Sequence, residues 1–155
     1  MKITVIGIGQ SLRGDDAAGL EAVRLWQKQQ PDSAMRDHVE LSELPGLSLL
    51  DMLGGMDAAI LVDAVHNSSA PGTLHRLGPD DLASFTPDAG SAHGWGVADT
   101  LQLGRSLYPW LADCRISLIG IEAGLMDMGA DLSPQVQAAL IGAVRMIEKE
   151  VQGLL

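Results

Sequence analysis

Short apolar runs alternate with longer amphipathic stretches along the whole chain. The apolar runs predict strands, and Ile3–Ile8 contains no charged residue, which indicates a strand buried on both faces of a parallel sheet. Apolar residues that recur at helical spacing predict helices between the strands. The predicted strands are Ile3–Ile8, His38–Leu44, Ala58–Val65, Thr73–Leu77 and Arg115–Ile121, and the predicted helices are Ala17–Gln30, Leu47–Leu53, Pro79–Leu82, Val97–Trp110 and Pro134 to about Val151.

This alternation of strands and helices predicts an α/β fold. We expect a three-layer α/β/α sandwich built on a mostly parallel, twisted sheet of five strands, one of them short and antiparallel. The alternation of polar and apolar residues within Thr73–Leu77 predicts a strand at an edge of the sheet. A length of 155 residues without a repeat or a linker predicts one domain over residues 1–155.

Composition and charge limit the kinds of molecule that we expect the protein to bind. Twenty acidic and ten basic residues give a formal net charge of −10, which argues against nucleic acid and anionic membrane surfaces and allows a cation or a basic protein. The single cysteine, Cys114, cannot form an internal disulfide, as expected in a reducing cytoplasm. Because the chain shows no signal peptide and no apolar run of spanning length, we expect a soluble, cytoplasmic protein, and its oligomeric state stays open.

The glycine-rich segment after the first strand carries the strongest chemical signal. Its glycines, Gly7, Gly9 and Gly14, do not have the G-x-G-x-x-G spacing of a dinucleotide site. Asp15 and Asp16 follow directly, and two carboxylates at the start of a helix would repel a pyrophosphate. They are interpreted either as helix caps or as ligands of a cation.

Three side chains able to bind a metal are expected at the carboxyl edge of the sheet, where ligands of open α/β sheets bind. Asp16 follows the first strand, Asp63 lies near the end of the third, and His93 lies in a polar loop before a helix. Two carboxylates and an imidazole suit a borderline divalent ion such as nickel, zinc or iron. Each residue taken singly also fits an ordinary role in a cap, a loop or the surface, so the prediction depends on their joint placement.

Other catalytic systems are weaker. The motifs G-x-S-x-G and H-E-x-x-H are absent. Ser91 and His93 are near neighbours in a loop, which disfavours triad geometry, and Cys114 is better explained as a small core residue. No catalytic residue is therefore assigned apart from the metal site. The residues predicted to contact substrate beside that site are Gln10, Asp15, His66 and Trp95.

In their order and spacing, several blocks of the sequence resemble the hydrogenase maturation proteases, the endopeptidases that finish the large subunit of nickel–iron hydrogenases. The blocks are Gly7–Gly19, Leu61–Ala64 with Pro71–Thr73, Ser91–His93, Ile119–Glu122 and Leu132–Pro134. Asp16, Asp63 and His93 match the family's ligand positions. The departures are Gln10 in place of Asn, Ala17 or Ala18 in place of Gly, Leu41–Glu43 in place of an Asp-Gly pair, and Ala123 in place of Pro.

The resemblance implies an endopeptidase that removes the C-terminal extension of a hydrogenase large-subunit precursor. It also implies that the precursor supplies the nickel, held there by thiolates, and that Asp16, Asp63 and His93 recognise it, with a resting protein free of metal. Two other functions stay open: a nickel-sensing chaperone that binds the precursor without cutting it, and a nucleotide-binding α/β module.

Overall fold

The sheet is mostly parallel, as predicted. The computed structural model describes residues 1–30, 38–43, 46–83 and 96–155. Within these ranges one sheet has the strand order β2-β1-β3-β5-β4, in which β4 runs antiparallel to β5 and the other neighbouring pairs are parallel. The predicted fold class is confirmed, including the short antiparallel strand at an edge. The strands are β1 (Ile3–Ile8), β2 (Val39–Ser42), β3 (Ala58–Val65), β4 (Leu74–Leu77) and β5 (Arg115–Glu122).

Helices cover both faces of this sheet. One face packs on the first and last of them around the fully buried Trp26, and the other face packs on the remaining three around Leu50 and Leu101. Because both faces are covered, the central strands β1 and β3 are largely apolar. Nowhere in the described ranges is a helix both long and apolar enough to cross a bilayer. The helices are α1 (Ala18–Gln29), α2 (Ser48–Met52), α3 (Pro79–Ala83), α4 (Gly96–Leu107) and α5 (Pro134–Leu154).

Two glycines let the start of α1 approach the carboxyl ends of β1 and β3. A Cβ atom on Gly19, in the first turn of α1, would lie 2.2 Å from the carbonyl oxygen of Val62. A Cβ atom on Gly9, just after β1, would lie 2.0 Å from the carbonyl oxygen of Asp16. Only glycine fits contacts this short. The turn that carries Asp16 is therefore held beside the end of β3, where Asp63 follows Val62.

The predicted helix Val97–Trp110 is wrong at its end. Helix α4 ends at Leu107, and the chain continues as a separate 3-10 helix, Pro109–Asp113. Pro109 has no N–H to continue an α-helix, and it favours an extended predecessor; Tyr108 has φ −127° and ψ 99°. The other predicted elements begin and end within a few residues of the observed ones.

Candidate functional site

A pocket of about 420 Å³ opens at the carboxyl ends of β1 and β3, the edge at which open α/β sheets bind their ligands. The described part of its wall comes from these strand ends, the glycine-rich loop, the segment after β2 and the start of α4. Both predicted carboxylate ligands, Asp16 and Asp63, line it. The lining residues are Ile8, Gly9, Gln10, Arg13, Asp16, Ser42, Glu43, Gly46, Leu49, Asp63, Gly96, Val97 and Thr100.

The carboxyl groups of Asp16 and Asp63 are half-buried and close enough for their charges to interact. Burial and then the negative charge of Asp16 raise the pKa of Asp63 to about 8. Burial also raises the pKa of Asp16, against the opposing influence of the Arg13 guanidinium, a hydrogen bond from the Gln10 N–H and His66. Such a pair gains from a bound cation, because the cation removes the mutual repulsion and solvates both carboxylates.

Asp15 is fully buried and ties the start of α1 to the segment before α5. Its carboxylate accepts hydrogen bonds from the N–H groups of Gly124 (2.8 Å), Leu125 (2.9 Å) and Ser133 (2.6 Å), and from the Ser133 hydroxyl (2.8 Å). Burial pushes the pKa of Asp15 up, but these bonds outweigh burial and leave the pKa below its usual value. Asp15 thus fixes the turn that carries Asp16 against the segment between β5 and α5, and its contact with substrate stays a prediction.

Neither Asp15 nor Ser133 caps a helix with its side chain, so the interpretation of Asp15 as a helix cap is wrong. The carboxylate of Asp15 does not cap the helix that follows it, since its partners lie more than a hundred residues away in sequence. Pro134 is the first residue of α5, as predicted, and Ser133 is at the N-cap position. The Ser133 hydroxyl, however, donates to Asp15 and does not cap α5.

A second buried carboxylate, Glu122 at the end of β5, holds the loop that follows β3. Glu122 is 2% exposed, and it accepts hydrogen bonds from the N–H groups of Asn67 at 2.9 Å and Ser69 at 3.4 Å. Its Oε1 also lies 3.1 Å from Nε2 of His75 on β4. Since the loop begins at His66, Glu122 fixes the path of the chain just beyond Asp63.

Glu43 connects two loops at the rim of the pocket. Its carboxylate accepts hydrogen bonds from the Ser11 N–H at 2.8 Å and the Ser11 hydroxyl at 2.7 Å. These bonds lower the pKa of Glu43. Its carbonyl accepts a further bond from Nε2 of Gln10 at 3.3 Å. The side chain of Gln10 is therefore held in the pocket wall, and its contact with substrate stays a prediction.

The structure brings some of the predicted site residues together, and others are not among the described residues. The two carboxylates and Gln10 line the pocket, and His66 is exposed within electrostatic reach of Asp16. His93 and Trp95 lie outside the described residues, so the third metal ligand stays a prediction. Within the described ranges alone, no three or more His, Cys, Asp or Glu side chains form a group that could hold a metal ion.

Two residues of the site were not predicted from the sequence. Arg13 lines the pocket beside Asp16, and Glu122 holds the loop after Asp63. A glutamate at the end of an apolar strand is an unusual pattern that could have indicated a buried, hydrogen-bonded acid. An exposed arginine in a loop is ordinary, so no signal in the sequence indicated a role for Arg13. Cys114, by contrast, is 4% exposed in the core, and burial raises the pKa of its thiol to about 11.

Comparison with known sequences points to one family. The family model HycI, hydrogenase maturation protease, matches residues 44–150. Hydrogenase expression/formation protein HupD of Thiocapsa roseopersicina is 30% identical in an alignment of 151 residues that covers 94% of this chain and 65% of the relative, so the chain spans less than two thirds of the length of HupD. Hydrogenase 2 maturation protease of Escherichia coli K12 is 27% identical in an alignment of 150 residues that covers 95% of this chain and 88% of the relative.

Solved structures agree with this result. The hydrogenase maturating endopeptidase HybD from E. coli superposes with a TM-score of 0.75 at 27% identity, covering 99% of this chain and 93% of that protein. The nickel–iron hydrogenase maturation protease HybD from Thermococcus kodakarensis superposes with a TM-score of 0.70 at 27% identity, covering 96% and 98%. Both likenesses extend over the strands and helices that build the pocket.

Proposed function

Because the chain belongs to the hydrogenase maturation protease family, we propose that it is an endopeptidase that removes the C-terminal extension of a nickel-loaded large-subunit precursor of a nickel–iron hydrogenase. In this proposal Asp16, Asp63 and His93 recognise the nickel that the precursor carries.

The observation that carries the proposal is the pairing of Asp16 and Asp63 in one pocket. Two half-buried carboxyl groups with raised pKa values are costly to keep ionised side by side. A divalent cation reverses that cost, and carboxylate oxygens combined with an imidazole are a donor set that suits nickel. The residues present therefore fit a nickel ion that arrives with the substrate.

The chain's own groups have distinct tasks in this proposal. Asp63 would release the proton on its carboxyl oxygen to solvent water when the ion binds, since the nearby positive charge favours the ionised form. Asp16 is held in place by the tight contact between its backbone and Gly9. The bound nickel supplies a Lewis acid for the scissile carbonyl or an activated water. No further catalytic residue is assigned.

Nickel recognition restricts cleavage to precursors that already carry nickel. A precursor without nickel lacks its anchor in the pocket, so its scissile bond is not positioned, and positioning accounts for a large part of the rate of such reactions. Buried Asp15 and Glu122 support this role because they fix the two loops that flank the carboxylates. A rigid frame keeps the ligands in place before the substrate arrives.

The proposal is tested with purified protein and a precursor prepared with and without nickel. Intact-mass spectrometry should show loss of the C-terminal extension from the nickel-loaded precursor and an unchanged mass for the nickel-free one. A stable complex without any loss of mass would favour the chaperone. Equal cleavage of both precursors would contradict nickel recognition.

Two controls sharpen this assay. Asp51→Ala removes an exposed carboxylate on α2, outside the described pocket wall, and should leave cleavage unchanged. ATP and NAD should cause no thermal shift, because the acidic pocket repels a pyrophosphate; a clear shift would favour the nucleotide-binding alternative.

A further inference from the structure

Arg13 is the only lysine or arginine among the described residues that line the pocket. Acidic residues outnumber basic ones in this chain by twenty to ten. A basic side chain in the pocket wall therefore differs in sign from the net charge of the protein. The Arg13 side chain is exposed, and no described carboxylate forms an ion pair with it. The exposed guanidinium lies in the pocket wall, where a ligand can reach it.

The backbone fixes Arg13 beside Asp16. The Arg13 N–H donates to the carbonyl oxygen of Gln10 at 3.2 Å, and the Arg13 carbonyl accepts the Asp16 N–H at 3.1 Å. These two bonds make a tight turn, so the guanidinium and the Asp16 carboxylate leave the chain within one helical turn of each other. Arg13 is also the strongest influence that opposes the effect of burial on the pKa of Asp16.

The positive charge of Arg13 weakens the binding of a free divalent metal ion in the pocket. A guanidinium within one turn of the Asp16 carboxylate repels a free hydrated metal ion bound there. The same guanidinium attracts a metal centre whose other ligands are anionic, or a peptide with an anionic group beside the metal, through charge-assisted hydrogen bonds. The pocket thus combines carboxylate oxygens that can bind a cation with one guanidinium that can bind an anion.

We infer that Arg13 is a specificity-determining residue that binds an anionic group which the precursor carries next to its nickel, so that the pocket favours the loaded precursor over free nickel. This inference rests on the proposed function for the identity of the ligand. The anionic group is a monovalent oxygen or sulfur anion, either a ligand of the metal or a carboxylate of the peptide.

The test compares Arg13→Gln with the intact protein in two equilibrium measurements. Calorimetry with Ni²⁺ alone should show binding about three- to tenfold tighter in the variant, because a repelling charge has been removed. The nickel-loaded precursor should bind about tenfold more weakly, because a charge-assisted hydrogen bond has been lost. A role in folding alone cannot move the two affinities in opposite directions.

Two further variants serve as controls. Arg145→Gln makes the same change of charge at an exposed position on α5 and should alter neither affinity. Arg13→Lys keeps the charge but lacks the planar fork of the guanidinium. It should leave Ni²⁺ binding at the level of the intact protein and recover part of the affinity for the precursor.

The nickel-free precursor distinguishes the two sources of the anion. If Arg13→Gln also weakens its binding, the anion is a carboxylate of the peptide; if only the loaded precursor is affected, the anion is a ligand of the metal. Unchanged affinity for the loaded precursor, or weaker binding of both Ni²⁺ and precursor, would overturn the inference. Opposite shifts in a protein that never cuts the precursor would support the role of Arg13 and refute the proposed cleavage.

Discussion

Replacing Asp63 with Asn should stabilise the fold while it removes a ligand of the proposed nickel site. The folded protein keeps the carboxyl proton of Asp63 up to a pKa of about 8, whereas the unfolded chain releases it near the ordinary aspartate pKa of 3.8. Folding therefore takes up a proton between these values, so the stability of the intact protein falls as the pH rises from about 4 to 8 and is constant above. Asn has no proton to release and is free of this penalty.

The magnitude follows from the interval between the two pKa values. Between pH 3.8 and pH 7, each pH unit lowers the free energy of unfolding by at most about 1.36 kcal/mol. The loss of stability at pH 7 therefore has an upper limit of about 4 kcal/mol. The side chain is only half-buried, so solvent reduces the energetic penalty of its charge. We therefore expect about 1–2 kcal/mol of stabilisation in Asp63→Asn at pH 7, shrinking towards pH 4.

Urea denaturation of both proteins at pH 5 and pH 8, followed by circular dichroism, measures this difference. Comparing the two pH values cancels any change in local hydrogen bonding that the amide introduces. Asp51→Asn, at an exposed position on α2, controls for the loss of one negative charge. A stability difference that is equal at both pH values, or an Asp63→Asn variant that is less stable at pH 8 than at pH 5 relative to the intact protein, would refute the reasoning.

Three further predictions concern the site and its frame. Asp16→Ala, Asp63→Ala and His93→Ala should each abolish processing of the nickel-loaded precursor while the circular dichroism spectrum stays unchanged; normal cutting by all three would refute the assignment. Cys114→Ser should keep processing within about twofold, because a thiol with a pKa of about 11 is no nucleophile near neutral pH; complete loss would favour a thiol mechanism. Asp15→Ala leaves four hydrogen-bond donors without their acceptor and should lower the free energy of unfolding by about 3 kcal/mol in urea titrations; a loss below about 1 kcal/mol would show that the contact is dispensable.

The fold was predictable because it depends on local periodicity. The bounds of β1 and β3 were predicted at the observed residues, since each is a mostly apolar run, broken only by Thr4 and Asp63, with glycine, polar or charged residues on either side. The end of α4 was missed although Pro109 is visible in the sequence, because the apolar spacing continues past it.

The frame of the site was not predictable in the same way. The partners of Asp15 lie 109 to 118 residues further along the chain, and those of Glu122 lie about 50 residues before it. Such contacts depend on how the loops pack at the edge of the sheet, which no local pattern encodes. The sequence placed Asp16 and Asp63 at the correct edge, whereas the role of Asp15 and the position of Arg13 needed the three-dimensional arrangement.

In the proposed site, Asp16, Asp63 and His93 meet around one nickel ion. Crystals soaked with Ni²⁺ and measured at the nickel absorption edge would show whether they do. We expect one anomalous peak in the pocket, with carboxylate oxygens of both aspartates and an imidazole nitrogen of His93 at about 2.0–2.2 Å, as in comparable zinc sites. An ion bound elsewhere, or a His93 ring more than about 10 Å from the two carboxylates, would contradict it.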